Sequence, residues 1–265
     1  MKIVCLKGGL GNQMFEYCRF RDLMESGNDK VYLFYDRRRL KQHNGLRLSD
    51  CFELELPSCP WGVKLVVWGL KICRAVGVLK RLYDDEKPEA VLIDDYSQHR
   101  RFIPNARRYF FFRQFLAELQ SGFVQMIRAV DYPVSVHVRR GDYLHPSNSS
   151  FGLCGVDYFQ QAIAYVRKKR PDARFFFFSD DMEWVRENLW MEDAVYVEHT
   201  ELMPDYVDLY LMTLCRGHII SNSTFSFWGA YLAVDGNGMK IYPRRWFRDP
   251  TWTSPPIFSE EWVGL

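Results

Sequence analysis

The chain has 265 residues, 48% hydrophobic and 26% charged, a composition that suits one large or two small folded domains and excludes disordered, collagen-like and coiled-coil chains. Against 35 Lys and Arg stand 33 Asp and Glu, a formal charge of +2 that is too balanced for a domain whose main partner is nucleic acid. Seven cysteines without a Cys-x-x-Cys pair argue against a disulfide framework or a zinc site.

Residues 2–7 predict a strand, Gly8-Gly9-Leu10-Gly11 a turn and Asn12 to about Glu25 a helix. No apolar h-region or cleavage site stands at this start, and no uncharged run nears the ~18 residues of a membrane span, so a reducing, cytoplasmic setting is the expectation. The turn breaks the G-x-G-x-x-G spacing because residue 13 is Gln, and the strand at 31–35 meets no acidic residue before Asp36, so a nicotinamide-cofactor reading is weak. A glycine turn that lets Asn12 approach a ligand closely fits better.

The basic triplet Arg37-Arg38-Arg39 follows, then an apolar-basic stretch from Trp61 to Tyr83. On a helix, its Lys64, Lys71, Arg74 and Arg81 fall within about 100° of one another. Two readings stay open: a helix lying peripherally at an anionic inner-membrane surface, or one that packs its apolar side inward and leaves its cations in water.

From Pro133 onward short apolar runs alternate with amphipathic stretches, the pattern of βα units on a parallel sheet. Strands are predicted at 134–138, 174–178, 218–221 and 239–242, and a helix at 206–215 with Asp205 as its N-cap. A linker near 128–133 divides the chain into two α/β halves, 1–132 and 133–265, expected to face a cleft.

Ligands of open α/β sheets bind beyond the carboxyl ends of the strands, and three polar clusters fall there. In His137-Val138-Arg139-Arg140-Gly141-Asp142-Tyr143 strand alternation puts His137 and Arg139 on one side, where a guanidinium fork suits a diphosphate; a structural ion-pair knot is the alternative. In Ser179-Asp180-Asp181, Asp180 caps a helix through the Glu183 spacing or accepts N–H groups of a guanine. In Ser221-Asn222-Ser223-Thr224 short hydroxyl residues precede a helix, either an anion site or an ordinary cap. Asn222-Ser223-Thr224 also reads as a glycosylation sequon, which a ligand site there would make self-defeating.

Gly-Gly-Leu-Gly-Asn-Gln-Met-Phe at 8–15, His-Val-Arg-Arg-Gly-Asp-Tyr at 137–143, Phe-Phe-Phe-Ser-Asp-Asp at 176–181 and Ser-Asn-Ser-Thr-Phe-Ser-Phe-Trp-Gly-Ala at 221–230 resemble, in order, the motifs of family 11 glycosyltransferases, the α-1,2-fucosyltransferases. Residues 37–132 carry no matching motif. The resemblance implies a GT-B-like pair of Rossmann-type halves and inverting transfer of fucose from GDP-fucose to the 2-OH of a galactose-terminated glycan in polysaccharide or O-antigen biosynthesis. It places Arg139 on the pyrophosphate, His137 and Asp180 near the nucleoside, Ser223 and Thr224 near the phosphates, and Gly11 and Asn12 at the donor. Phe227 stands where many relatives have Trp, a packing change. The chain has no Asp-x-Asp, so no metal cofactor is expected and Arg139 with a helix N-terminus is the substitute. Asp142 is the candidate base for the acceptor hydroxyl, with a salt bridge to Arg140 or a cap on the following loop as its structural alternative. Another nucleotide-sugar donor, or an inactive nucleotide- or glycan-binding module, are the competing readings.

Overall fold

The computed structural model describes residues 1–265 except 28–29, 42–43, 85–86, 120–121, 149 and 199–202, and the side chain of Ser147. The chain forms two compact units, Met1–Arg113 and Gln114–Leu265.

The first unit runs β1 (Lys2–Leu6), α1 (Leu10–Glu25), β2 (Val31–Tyr35), α2 (Arg37–Leu40), α3 (Leu48–Cys51), α4 (Trp61–Ala75) and β3 (Leu92–Ile93). Its three strands are parallel in the order β2-β1-β3. Alternation sends Ile3 and Cys5 to one face, where they pack with Val63, Val67 and Leu70 of α4. Val4 and Leu6, on the other face, are buried as well, so β1 is apolar on both sides as a covered parallel strand should be.

The second unit runs α5 (Gln114–Ala117), α6 (Gly122–Arg128), β4 (Tyr132–Val138), α7 (Val156–Lys169), β5 (Ala173–Ser179), α8 (Met182–Asn188), β6 (Val195–Tyr196), α9 (Tyr206–Leu214), β7 (Gly217–Ile219), α10 (Thr224–Tyr231), β8 (Lys240–Tyr242) and β9 (Val263–Gly264). All six strands are parallel, ordered β6-β5-β4-β7-β8-β9. Phe159, Ala162, Ile163 and Val166, one face of α7, pack with Phe175 and Phe177 of β5. Phe176 and Phe178 point to the opposite face and are equally inaccessible. Each such ring contributes roughly 1.5–3 kcal/mol of burial.

The division falls earlier than the 132/133 boundary read from the sequence. Helix α6 packs against α9, and Phe115 of α5 meets the ring of Tyr206 edge-on at 6.4 Å. Residues 114–132 therefore belong to the second core. Asp205 occupies the position before α9 but its own backbone is helical and its side chain makes no cap bond, so the predicted capping role is not realised. Among the described residues no helix is long and apolar enough to cross a membrane.

Candidate active site

The three polar clusters lie at the carboxyl ends of β5, β4 and β7, neighbours in the sheet. Val138 pairs with Ser179 and Val136 with Ile219 in register, which sets the residues following each strand side by side.

Arg139 is the hub. Its Nη2 donates to Asp142 Oδ1 at 2.6 Å and its Nη1 pairs with Asp180 Oδ2 at 2.8 Å. Burial disfavours its charge, but Asp180 and Asp142 outweigh that and hold the guanidinium protonated above its ordinary range. Arg140 takes other partners: its Nε donates to Asp181 at 2.9 Å and its guanidinium lies 4.0 Å over the Trp184 ring. Asp142 therefore pairs with Arg139, and the salt bridge to Arg140 weighed from the sequence is not formed.

The expected cap at Asp180 moves by one residue. Asp181 accepts from the Trp184 backbone N–H and caps α8. That leaves Asp180 to accept the Arg140 backbone N–H at 2.8 Å and to pair with Arg139. Gly141 lies directly on Asp180: a Cβ there would approach the carboxylate and stand 3.0 Å from Cγ, so any larger residue would displace the Asp180 side chain.

His137 is buried beneath this group. Its Nδ1 sits 3.0 Å from Ser221 Oγ, and its ring is 5.8 Å from that of Phe225. Burial, then the Arg139 charge, push it down to about 3, so it is a neutral, hydrogen-bonding ring rather than a cation.

In the third cluster Ser223 precedes α10 in extended conformation without a side-chain cap bond, so the ordinary cap is absent and both Ser223 and Thr224 stand at the helix N-terminus. Asn222 is a clamp: its amide donates to the carbonyls of Phe151, Gly152 and Trp246, and its Oδ1 accepts from Cys154. A buried side chain so engaged is no acceptor for a glycan. The Tyr143 hydroxyl donates to the Asn222 carbonyl at 3.0 Å, while Arg139 lies 5.7 Å over the Tyr143 ring. The structure thus joins Asp180, Arg139, Asp142, Tyr143 and Asn222 in one contact series, with Ser223 next in the chain. Beside it a pocket of about 680 Å³ is lined by Tyr143, Phe151, Tyr158, Arg245 and Arg248. Among the described residues no group of three or more His, Cys, Asp or Glu is placed to hold a metal.

Gly11 and Asn12 belong to the first unit. There Gly8 has φ +68°, which favours glycine, and Asn12 accepts from Gln98 Nε2 at 2.9 Å. Gln13 of this motif and Glu16 just past it carry a duty that sequence reasoning missed. Gln13 donates to the carbonyls of Gly8 and Gly45 and accepts from Arg47 N, and Glu16 accepts from Lys7 N at 2.8 Å. Both are buried, three residues apart on one helix face, and pin the glycine turn. Their signal was polar character among the apolar residues Met14, Phe15, Tyr17 and Cys18. Phe227 is inaccessible, stacked on Tyr231 and Trp262, so its difference from Trp is one of packing.

The architecture is that of a GT-B-like glycosyltransferase. A solved structure of fucosyltransferase NodZ from Bradyrhizobium superposes with a TM-score of 0.53 at 15% identity, covering 88% of this chain and 92% of that one. A structure of NodZ alpha-1,6-fucosyltransferase soaked with GDP-fucose also gives 0.53, at 14% identity over 87% of this chain and 91% of that chain. In sequence, the chain is 25% identical to the O-antigen biosynthesis glycosyltransferase WbnK of Escherichia coli, over 98% of this chain and 99% of the relative. It is 29% identical to an Escherichia coli alpha-1,2-colitosyltransferase (98% and 97%) and 27% identical to galactoside 2-alpha-L-fucosyltransferase SEC1 of Bos taurus (98% and 72%). Residues 105–265 match Glycosyl transferase family 11, and the chain belongs to that family.

Proposed function

We propose that this glycosyltransferase transfers L-fucose from GDP-fucose to the 2-OH of a galactoside in a glycan, with inversion and without a metal, as a step in polysaccharide or O-antigen biosynthesis. The observation that carries the reading is Arg139, a single guanidinium at a strand end with its two forks on Asp142 and Asp180. Such a group is preorganised for the charge that appears on a departing diphosphate. On donor binding, a phosphate oxygen replaces a carboxylate on one fork while the other still fixes the plane.

The acceptor oxygen forms a bond to the fucose anomeric carbon as the bond to the β-phosphate oxygen breaks. The electron pair leaves with GDP, and the hydroxyl proton passes to a carboxylate. Asp142 takes that proton once the diphosphate has drawn Arg139 away from it. His137 and Asp180 border the nucleoside, and Ser223 and Thr224 the phosphates. A colitosyl donor is the second reading, favoured by the identity to an alpha-1,2-colitosyltransferase. We place the enzyme in the cytoplasm, peripheral to an anionic membrane; the reducing compartment is supported by seven cysteines, none of which forms a disulfide.

The test is a donor panel of GDP-fucose, other GDP-sugars and UDP-sugars, read by thermal shift and by transfer to a galactoside with and without excess EDTA. A ligand at 100 times its dissociation constant adds about 2.7 kcal/mol. GDP-fucose should stabilise and be consumed, with EDTA leaving the rate nearly intact. Preference for another donor, or loss that Mg²⁺ or Mn²⁺ restores, contradicts the respective part of the reading.

A further inference from the structure

Helix α4 is apolar on two opposite faces. Val63, Val67 and Leu70 are buried against the sheet of the first unit. Trp61, Leu65, Trp68 and Ile72, at steps of four, three and four residues, form the other face, and they are 73%, 49%, 69% and 48% exposed. Val76, Val78 and Leu79 beyond the helix end are exposed as well. Neither sequence reading of this stretch foresaw that division: the helix does pack an apolar side inward, and it also leaves an apolar row in water.

The row is bordered by positive charge. On a helix of 3.6 residues per turn, Lys64 and Lys71 project from one flank of it. With Trp68 and Arg37, Arg38 and Arg39 they line a pocket of about 730 Å³ inside the first unit. Asp36 is the acidic residue among the described residues lining it, and its carboxylate already accepts the Arg38 backbone N–H. Next to it Asp94 alone meets three cations, Lys7, Lys71 and Arg74. Exposed tryptophans and aliphatic side chains beside a cationic hollow match the boundary of an anionic bilayer, where rings enter at headgroup depth and Lys and Arg meet phosphates. A second copy fits less well, because a two-fold contact would set this cationic flank against itself.

We infer that α4 docks the protein on an anionic membrane, its Trp61-Leu65-Trp68-Ile72 row entering the interface and the pocket of Arg37, Arg38, Arg39, Lys64 and Lys71 receiving a phosphate-bearing lipid headgroup. The docking rests on the transfer reading only for what the membrane would present, a glycan on a lipid.

The experiment is sedimentation of the full chain with vesicles of equimolar phosphatidylglycerol and phosphatidylcholine, against pure phosphatidylcholine, at low and high salt. Binding should require the anionic lipid, weaken with salt and be abolished in Trp61→Ser/Trp68→Ser. Lys64→Ala and Lys71→Ala should each weaken it roughly fivefold, the equivalent of about 1 kcal/mol per cation. Circular-dichroism melts that match wild type show that the variants fold. No binding to anionic vesicles at low salt overturns the proposal. So does equal binding by the tryptophan variant, or a concentration-dependent dimer that the same substitutions abolish. Transfer to a soluble galactoside is measured on each variant in parallel. A protein that binds vesicles but transfers nothing refutes the function reading and leaves the docking standing; one that transfers but never binds does the reverse.

Discussion

Two buried histidines should make this protein acid-sensitive well above the range in which carboxylates titrate. His137 bonds Ser221, and His218 bonds Ser135 across the β4–β7 pair at 2.8 Å. Burial and then a neighbouring cation, Arg139 for one and Lys240 for the other, push both down to about 3. The unfolded chain takes up a proton at each near 6.5 and the folded chain refuses it, so folding stability is whole above pH ~6.5 and falls as the pH drops toward 3. The slope is ~1.4 kcal/mol per pH unit for each ring. Glu16 acts in the opposite sense. Burial holds its carboxyl well above the usual range, so its contribution is whole below ~4.5 and fades as pH rises. The raw slope therefore mixes terms, and a variant isolates one. In equilibrium urea unfolding between about pH 5 and 6.5, His218→Asn should flatten the dependence by ~1.4 kcal/mol per pH unit relative to wild type, whatever its own stability. Equal slopes would refute the claim that His218 is held neutral by its surroundings.

Arg139→Ala should lower turnover by ~10²–10³, and Arg139→Lys should recover only part, because a point charge cannot hold two partners in a plane; steady-state rates near wild type, with Arg140→Ala inactive, would reverse the assignment of strand faces. Asp142→Asn should lower kcat more than it weakens donor binding if Asp142 takes the proton, whereas a lower melting temperature with turnover intact would leave it a partner of Arg139 only. Gly141→Ala should displace Asp180 from Arg139 and reduce kcat/KM at least about tenfold by the misplacement of the charged hub. Gly69→Ala in α4, whose added Cβ meets nothing within 4 Å, serves as the silent control, and equal kinetics in the two would remove Asp180 from the site.

What the sequence made legible follows from periodicity. The parallel strands of the second unit are continuous apolar runs, and Phe175 to Phe178, all buried, fit a strand covered on both faces; the polar residues after each run then fall at the carboxyl ends. Arg139 and Arg140 follow the end of β4 and take separate carboxylates, Asp142 and Asp180 for the first and Asp181 for the second. Finer contacts escaped because they depend on distances between segments. Nothing local distinguishes Asp180 from Asp181 as a cap, since the choice is made by Gly141 and Arg140 approaching across the sheet end. Gln13 and Glu16 bond loop backbone as distant as Gly45, which no helical pattern encodes. Helix α4 looked ambiguous because two apolar faces sum to an almost continuous apolar stretch. The unit boundary was misplaced because α5 and α6 declare their allegiance only through α9.

The central claim is tested most directly by the product itself: GDP-fucose, a galactoside acceptor and the protein, with the new glycosidic bond assigned by NMR. The account predicts fucose on the 2-OH of galactose with the anomeric configuration opposite to that in the donor, and no such product from Arg139→Ala within the time wild type needs for one turnover. A bond to another hydroxyl, a retained configuration, or no transfer from GDP-fucose to any galactoside would contradict it.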